Sequence, residues 1–155
     1  MKFSLADKTK KICGGVIMAR IEKTVEIKAP VEKVYAFCSD IDGYVRFMKG
    51  AKEIKTTGDT TAHWIMEMVG RTMEFDTEMT ENIENKKIAW KSLGDFVAKG
   101  SWGFEPTAEG TEVQMVMDYE IPGVLGKIFD KIKVSKETEK DMESSLQRLK
   151  QLLET

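Results

Sequence analysis

The segment EVQMVMDYEI, residues 112–121, decides the fold because its polar and apolar side chains alternate. Glu112 and Gln114 begin the polar row. The apolar row is Val113, Met115, Met117, Tyr119 and Ile121. Successive side chains of a β-strand point to opposite faces of the sheet, so the segment is predicted to be a strand with one buried and one solvated face.

The same alternation recurs in the segments upstream, where Gly, Asn and Asp residues mark the turns. The predicted inward rows are Trp64, Met66, Met68, Met73, Phe75, Thr77, Met79, Ile88, Trp90, Ser92, Trp102 and Phe104. One turn is predicted over residues 82–85. A short strand over 51–56 and a first strand over 21–28 raise the predicted number to seven. Such a set of strands predicts an antiparallel sheet covered on one face.

Two short helices are predicted between the first strand and the rest of the sheet. Pro30 suits the first position of a helix, and apolar residues follow at positions 31, 34, 35 and 38. Asp40 can cap a second helix, which Gly50 ends. The chain therefore opens with a strand and two helices.

The charged segment from residue 123 to the C-terminus has helical spacing and is predicted to cover the sheet. Its apolar stripe is Leu125, Ile128, Phe129, Ile132, Met142, Leu146, Leu149 and Leu153. At Ser135 and Glu139 either the helix breaks or a polar pair points inward. The cost of burying an unpaired carboxylate favours a break. One sheet covered by one long helix is an α+β layer architecture.

Composition excludes several classes of protein. The chain has 155 residues with 24 basic and 26 acidic side chains, a net charge of −2, which opposes a nucleic-acid binder. No segment approaches the length of a membrane span. Cys13 and Cys38 show neither metal-ligand spacing nor a disulfide framework. We therefore predict no metal or cofactor, and a protein of the reducing cytoplasm. Residues 1–19 are predicted to be a loosely attached extension, and residues 20–155 a single domain.

Several short motifs occur together in a familiar order. They are VEIKAPVEKVY at 25–35, IAWKS at 88–92, GSWGFEP at 100–106, GTEV at 110–113 and LKQLLE at 149–154. In this order the chain resembles the START-like (SRPBCC) superfamily, in its polyketide cyclase/dehydrase and coenzyme Q-binding-protein branch. The resemblance implies the helix-grip fold, a seven-stranded antiparallel sheet curled around the long C-terminal helix, with two short helices closing one end. It also implies a cavity for lipids, quinones or polyketides, and it supplies no catalytic residues.

The inward face is rich in Met and Trp, which predicts a pliable apolar pocket, because thioether side chains fit irregular ligand shapes. For any single residue, simple core packing is the alternative. The predicted ligand-binding residues are Tyr35, Trp64, Met66, Phe75, Thr77, Trp90, Ser92, Trp102, Phe104, Met115, Met117 and Tyr119. Their hydroxyl groups can orient the polar end of a ligand or bond to local backbone. His63 falls on the charged face and is predicted to be solvated.

The predicted function is to bind or carry a hydrophobic small molecule, such as a lipid, an isoprenoid quinone or a polyketide-like compound. One alternative is an aromatase/cyclase-type enzyme in which Tyr35, Thr77, Ser92 or Tyr119 assists proton transfer. Another is a protein-interaction module with a closed core. A basic amphipathic segment also suggests transient contact with a membrane surface. The simpler alternative is a helix whose apolar stripe packs in the core and whose charged face is solvated. The residues predicted to make that contact are Val124, Leu125, Lys127, Phe129 and Lys131.

Overall fold

The computed structural model describes residues 12–13, 16–68, 70–121 and 131–155. The strands in these ranges are β1 (Ile12–Cys13), β2 (Val16–Ile27), β3 (Ala51–Thr56), β4 (Thr61–Met68), β5 (Arg71–Ile83), β6 (Lys87–Leu93), β7 (Ala98–Pro106) and β8 (Thr111–Ile121). The helices are α1 (Val31–Ser39), a 3-10 helix (Ile41–Arg46) and α2 (Lys131–Leu153). None of the helices in these ranges is long and apolar enough to cross a membrane.

The strands form one antiparallel sheet in the order β1-β2-β8-β7-β6-β5-β4-β3. Seven long strands and the C-terminal helix confirm the predicted helix-grip fold, and the two-residue β1 adds a short pairing at the sheet edge. β2 begins at Val16, so residues 16–19, which the pattern assigned to the extension, form the start of this strand. Ala19 pairs with Tyr119 there, and it is buried.

The helix α2 is continuous from Lys131 to Leu153, so the predicted break near Ser135 and Glu139 is wrong. Glu139 is not buried without a partner, because its carboxylate lies 3.5 Å from the Lys23 ammonium of β2. The buried polar position is instead Thr138, whose hydroxyl donates to the carbonyl oxygen of Val134 at 2.8 Å. A hydroxyl that bonds back to its own helix can be buried at little cost.

Aromatic packing around the 3-10 helix closes one end of the sheet. Phe47 is fully buried, and its ring centroid lies 5.0 Å from that of Tyr44 and 6.2 Å from that of Trp102. The hydroxyl of Tyr44 donates to the carbonyl oxygen of Cys38 at 2.6 Å, which joins the 3-10 helix to α1. Aromatic pairs at these separations contribute more stability than the burial of their surface alone. These contacts therefore stabilise this end of the molecule.

Candidate functional site

A cavity of about 290 Å³ lies between the inner face of the sheet and α2, with α1 and the 3-10 helix along its side. Its lining includes all three tryptophans of the chain and seven of its ten methionines. These residues are Trp64, Trp90, Trp102, Met48, Met66, Met68, Met79, Met115, Met117 and Met142. Flexible, polarisable thioethers let such a wall adapt to the shape of an apolar occupant.

One wall of the cavity is built from aromatic rings. Trp64 and Phe75 are stacked, with centroids 5.9 Å apart and planes 10° from parallel. Phe96, from the loop between β6 and β7, lies 4.9 Å from Phe75. Trp90 lies close against Gly100 of the neighbouring strand, where a Cβ would come within 2.7 Å of the indole ring. Together these rings give the cavity a flat apolar surface.

Eight of the twelve predicted ligand-binding residues line this cavity. They are Trp64, Met66, Phe75, Thr77, Trp90, Trp102, Met115 and Met117. All of them lie on inward rows of β4 to β8, as the alternation of the strands requires. Met73, also predicted to face inward, is half-buried but is not part of the lining.

The other four predicted residues lie around the cavity rather than in its wall. The hydroxyl of Ser92 donates to the carbonyl oxygen of Phe96 at 2.5 Å and accepts from the Ala98 amide at 2.8 Å. It therefore holds the loop between β6 and β7 and bonds to local backbone, the alternative already open from the sequence. Phe104 packs edge-on against Tyr35, with centroids 5.8 Å apart.

Tyr119 is the fourth of these residues, and it is 3% exposed on β8. Its hydroxyl has no hydrogen-bond partner among the described residues. Burial raises the pKa of Tyr119, and the neighbouring hydroxyl groups of Ser135 and Thr138 act in the opposite direction. Tyr119 therefore stays protonated beside α2.

Asn82 is a lining residue that the sequence pattern missed. The predicted turn over residues 82–85 begins too early, because β5 continues to Ile83 and the positive φ of 61° occurs at Asn85. A β-bulge between Met79 and Glu81 shifts the pairing by one residue, so Asn82 lies opposite Ile88, another lining residue. The hydroxyl of Tyr35 donates to Asn82 Oδ1 and links α1 to this edge of the cavity.

The polar groups inside the cavity are largely engaged with each other. The Trp64 indole N–H donates to the Thr77 hydroxyl at 2.9 Å, and both residues are buried. The Ser145 hydroxyl donates to the Asp141 carbonyl and accepts from the Lys49 amide, both at 2.8 Å. The Trp64 indole and the Ser145 hydroxyl therefore have no hydrogen left to donate to a ligand.

Cys38 and Tyr44 are titratable residues that line the cavity, and both are buried. Burial raises the pKa of the Cys38 thiol to about 12, and burial also raises the pKa of Tyr44. His63 is on the outer face, with Nδ1 2.7 Å from Asp76 and Nε2 3.2 Å from Glu74, and these hydrogen bonds raise its pKa. Within the described residues, no three His, Cys, Asp or Glu side chains are grouped to hold a metal ion.

The predicted membrane-contact segment cannot be compared with the structure. Val124, Leu125, Lys127 and Phe129 lie outside the described residues, as does the side chain of Lys131 at the start of α2. Contact with a membrane surface therefore stays a prediction.

Comparison with known proteins gives a family match over most of the chain. The sequence profile of the family described as "Polyketide cyclase / dehydrase and lipid transport" matches residues 18–154. An uncharacterized 17.2 kDa protein of Streptomyces lincolnensis is 30% identical over 129 residues, which cover 81% of this chain and 86% of that protein.

Solved structures share the fold. A START superfamily protein from Mycobacterium smegmatis is 22% identical with a TM-score of 0.69, and the match covers 86% of this chain and 98% of that one. The Zhui aromatase/cyclase of a Streptomyces species is 17% identical with a TM-score of 0.70, over 88% of this chain and 94% of that one. At these identities the likeness concerns the fold alone.

Proposed function

Since this chain belongs to the polyketide cyclase / dehydrase and lipid transport family, we propose that it binds one hydrophobic small molecule in the cavity between the sheet and α2. The observation that carries the proposal is the lining, in which all three tryptophans and seven methionines surround about 290 Å³. Sites for small molecules are concave, mostly apolar and usually formed before the ligand arrives. The concave shape and the mostly apolar lining of this cavity support the proposal.

Packing density supports a binding role over a simple core. Protein interiors contain few voids larger than a water molecule, whereas this cavity has room for about ten waters at roughly 30 Å³ each. Phe75, Trp90 and Phe96 remain only half-buried around it. A ligand that covered these rings would remove apolar area from water, worth about 25 cal/mol per Å² before ordering costs.

The size of the cavity narrows the class of ligand. About 290 Å³ is at the lower limit of ordinary small-molecule sites, which span roughly 300–1,000 Å³. We therefore favour a compact polyketide-like ring system or a short lipid chain. A complete isoprenoid quinone would have to leave most of its tail outside the cavity.

The arrangement of hydroxyl groups favours binding over catalysis. Proton transfer needs an acid or base within hydrogen-bond reach of the substrate. Of the four hydroxyl groups considered for an aromatase/cyclase, Thr77 alone lines the cavity, and it already accepts a hydrogen bond from Trp64. The open interior also argues against an interaction module with a closed core.

Native mass spectrometry of the purified protein, before and after extraction with organic solvent, tests this function. We expect an additional mass that extraction removes and that identifies an apolar compound. Trp90→Ala should reduce the retained ligand, because the indole forms part of the cavity wall. Ile65→Ala, on the opposite face of β4, is the matched control and should retain it. A protein that carries no ligand and takes up none from a mixture of lipids and aromatic compounds would contradict the proposal.

A further inference from the structure

The charged side chains that line the cavity are mostly acidic. Within the described ranges they are Asp40, Asp59 and Asp141, with Lys49 as the one cation. A ligand with a carboxylate or phosphate group would meet a lining of three carboxylates and one ammonium group, an excess of two negative charges. Like charges placed together oppose binding, whereas an uncharged ligand is indifferent to them.

Lys49 is already paired with one of these carboxylates. Its ammonium nitrogen lies 3.7 Å from Asp141 Oδ1. The backbone of the two residues is also tied together, because the Lys49 amide donates to the hydroxyl of Ser145, which in turn donates to the Asp141 carbonyl. The ammonium group therefore lies beside α2 on the exposed side of the cavity, where the Asp141 carboxylate offsets its charge.

Uncharged donors deeper in the cavity offer an anion little compensation. The hydroxyl hydrogens of Thr138 and Ser145 are given to carbonyl oxygens of α2, and that of Tyr44 is given to Cys38. Among the described lining residues, Thr61 and Thr77 each accept a hydrogen bond and keep a hydroxyl hydrogen not assigned to another group, and Asn82 keeps its amide hydrogens. All of these remaining donors are neutral. A carboxylate moved from water into such surroundings loses its hydration without gaining comparable partners.

We propose that this cavity selects uncharged ligands and rejects carboxylates and phosphates of the same shape. The inference rests on the proposed function and sharpens it, because it names the charge class of the ligand. It directs the search toward neutral rings, phenols, esters, amides and alcohols, and away from free fatty acids and phosphorylated lipids. Asp141 acts as a specificity-determining residue by neutralising Lys49.

Isothermal titration calorimetry with 2-naphthamide and 2-naphthoate tests the inference, because the two molecules are nearly isosteric and differ in charge. We expect 2-naphthamide to bind at least tenfold more tightly than 2-naphthoate. Equal binding of the two, or tighter binding of the carboxylate, would overturn the inference and leave the proposed function in place. Failure of both to bind, together with an empty protein in native mass spectrometry, would overturn the proposed function and the inference with it.

Two variants of α2 separate the local pairing from net charge. Asp141→Asn frees the Lys49 ammonium, so the preference for the amide should shrink about fivefold, as expected for one nearby charge in water. Glu143→Gln removes the same charge from the same helix, but Glu143 pairs with Lys23 at 3.6 Å and does not line the cavity. The ratio of its affinities for 2-naphthamide and 2-naphthoate should equal that of the unaltered protein. An equal shift in both variants would show a net-charge effect and overturn the role assigned to Asp141.

Discussion

Replacing Gly100 with Ala should damage the cavity wall, whereas the same replacement at Gly103 should be harmless. A Cβ on Gly100 would meet the Val116 carbonyl oxygen at 2.6 Å and the Trp90 ring at 2.7 Å. Contacts this short do not persist, so the backbone of β8 or the indole of Trp90 must move. At Gly103, on the same strand, the nearest atom is the Cβ of Gln114 at 4.0 Å.

The expected difference in stability is large enough to measure. Overpacking of this kind costs about 1–3 kcal/mol. A Gly-to-Ala change without a clash instead stabilises by about 0.4–1 kcal/mol, because it restricts the unfolded chain. The two variants should therefore differ by about 1.4–4 kcal/mol, which corresponds to roughly 3–16 °C in Tm for a domain of this size.

Urea unfolding followed by far-UV circular dichroism, with near-UV dichroism as a probe of the tryptophans, measures this effect. If Trp90 absorbs the strain by turning into the cavity, Gly100→Ala should also weaken binding of 2-naphthamide, while Gly103→Ala should not. Equal stability and equal binding in the two variants would refute the close packing of Trp90 on β7.

The remaining predictions concern the end wall, the buried thiol and the outer face. Phe47→Ala removes a fully buried ring and should lower the free energy of unfolding by about 3–5 kcal/mol in urea. Cys38, whose pKa is raised to about 12, should resist iodoacetamide at pH 8 until urea unfolds the chain, as peptide mass spectrometry can show. Hydrogen bonds to Asp76 and Glu74 raise the pKa of His63 in the folded protein. Protonated His63 therefore stabilises the fold, fully at pH values below its pKa of about 6.5 in the unfolded chain. This stabilisation is lost as the pH rises through the pKa of the folded state. His63→Gln should therefore cost more stability at pH 5 than at pH 9, and NMR should show the imidazole of His63 titrating above 6.5.

The sheet and the composition of its inner face were predictable because strand periodicity is a local property. In β8, Val113, Met115 and Met117 alternate with polar residues in the sequence, and in the structure they are buried. Because one face of such a strand is buried and the other is solvated, only one orientation places its apolar side chains in the core. The same reasoning led to eight of the residues that line the cavity.

Features set by irregular or long-range contacts were not predictable. Nothing in the local pattern marks the bulge that turns Asn82 toward the cavity, and a helical plot of α2 does not show that Lys23 reaches Glu139 from another element. Ser92 has the correct parity for the inner row, yet its hydroxyl bonds to the loop that follows. A shift in register decides the position of Asn82, a partner distant in sequence decides that of Glu139, and the conformation of the following loop decides that of Ser92.

The central claim is that the cavity between the sheet and α2 is the ligand site, and methionine methyl NMR tests it most directly. With ¹³C-methyl-labelled Met, a titration with 2-naphthamide should shift the signals of Met48, Met66, Met68, Met79, Met115, Met117 and Met142. The signals of Met18 and Met73, which do not line the cavity, should stay in place. Shifts confined to Met18 and Met73, or no shifts at saturating ligand, would contradict the account.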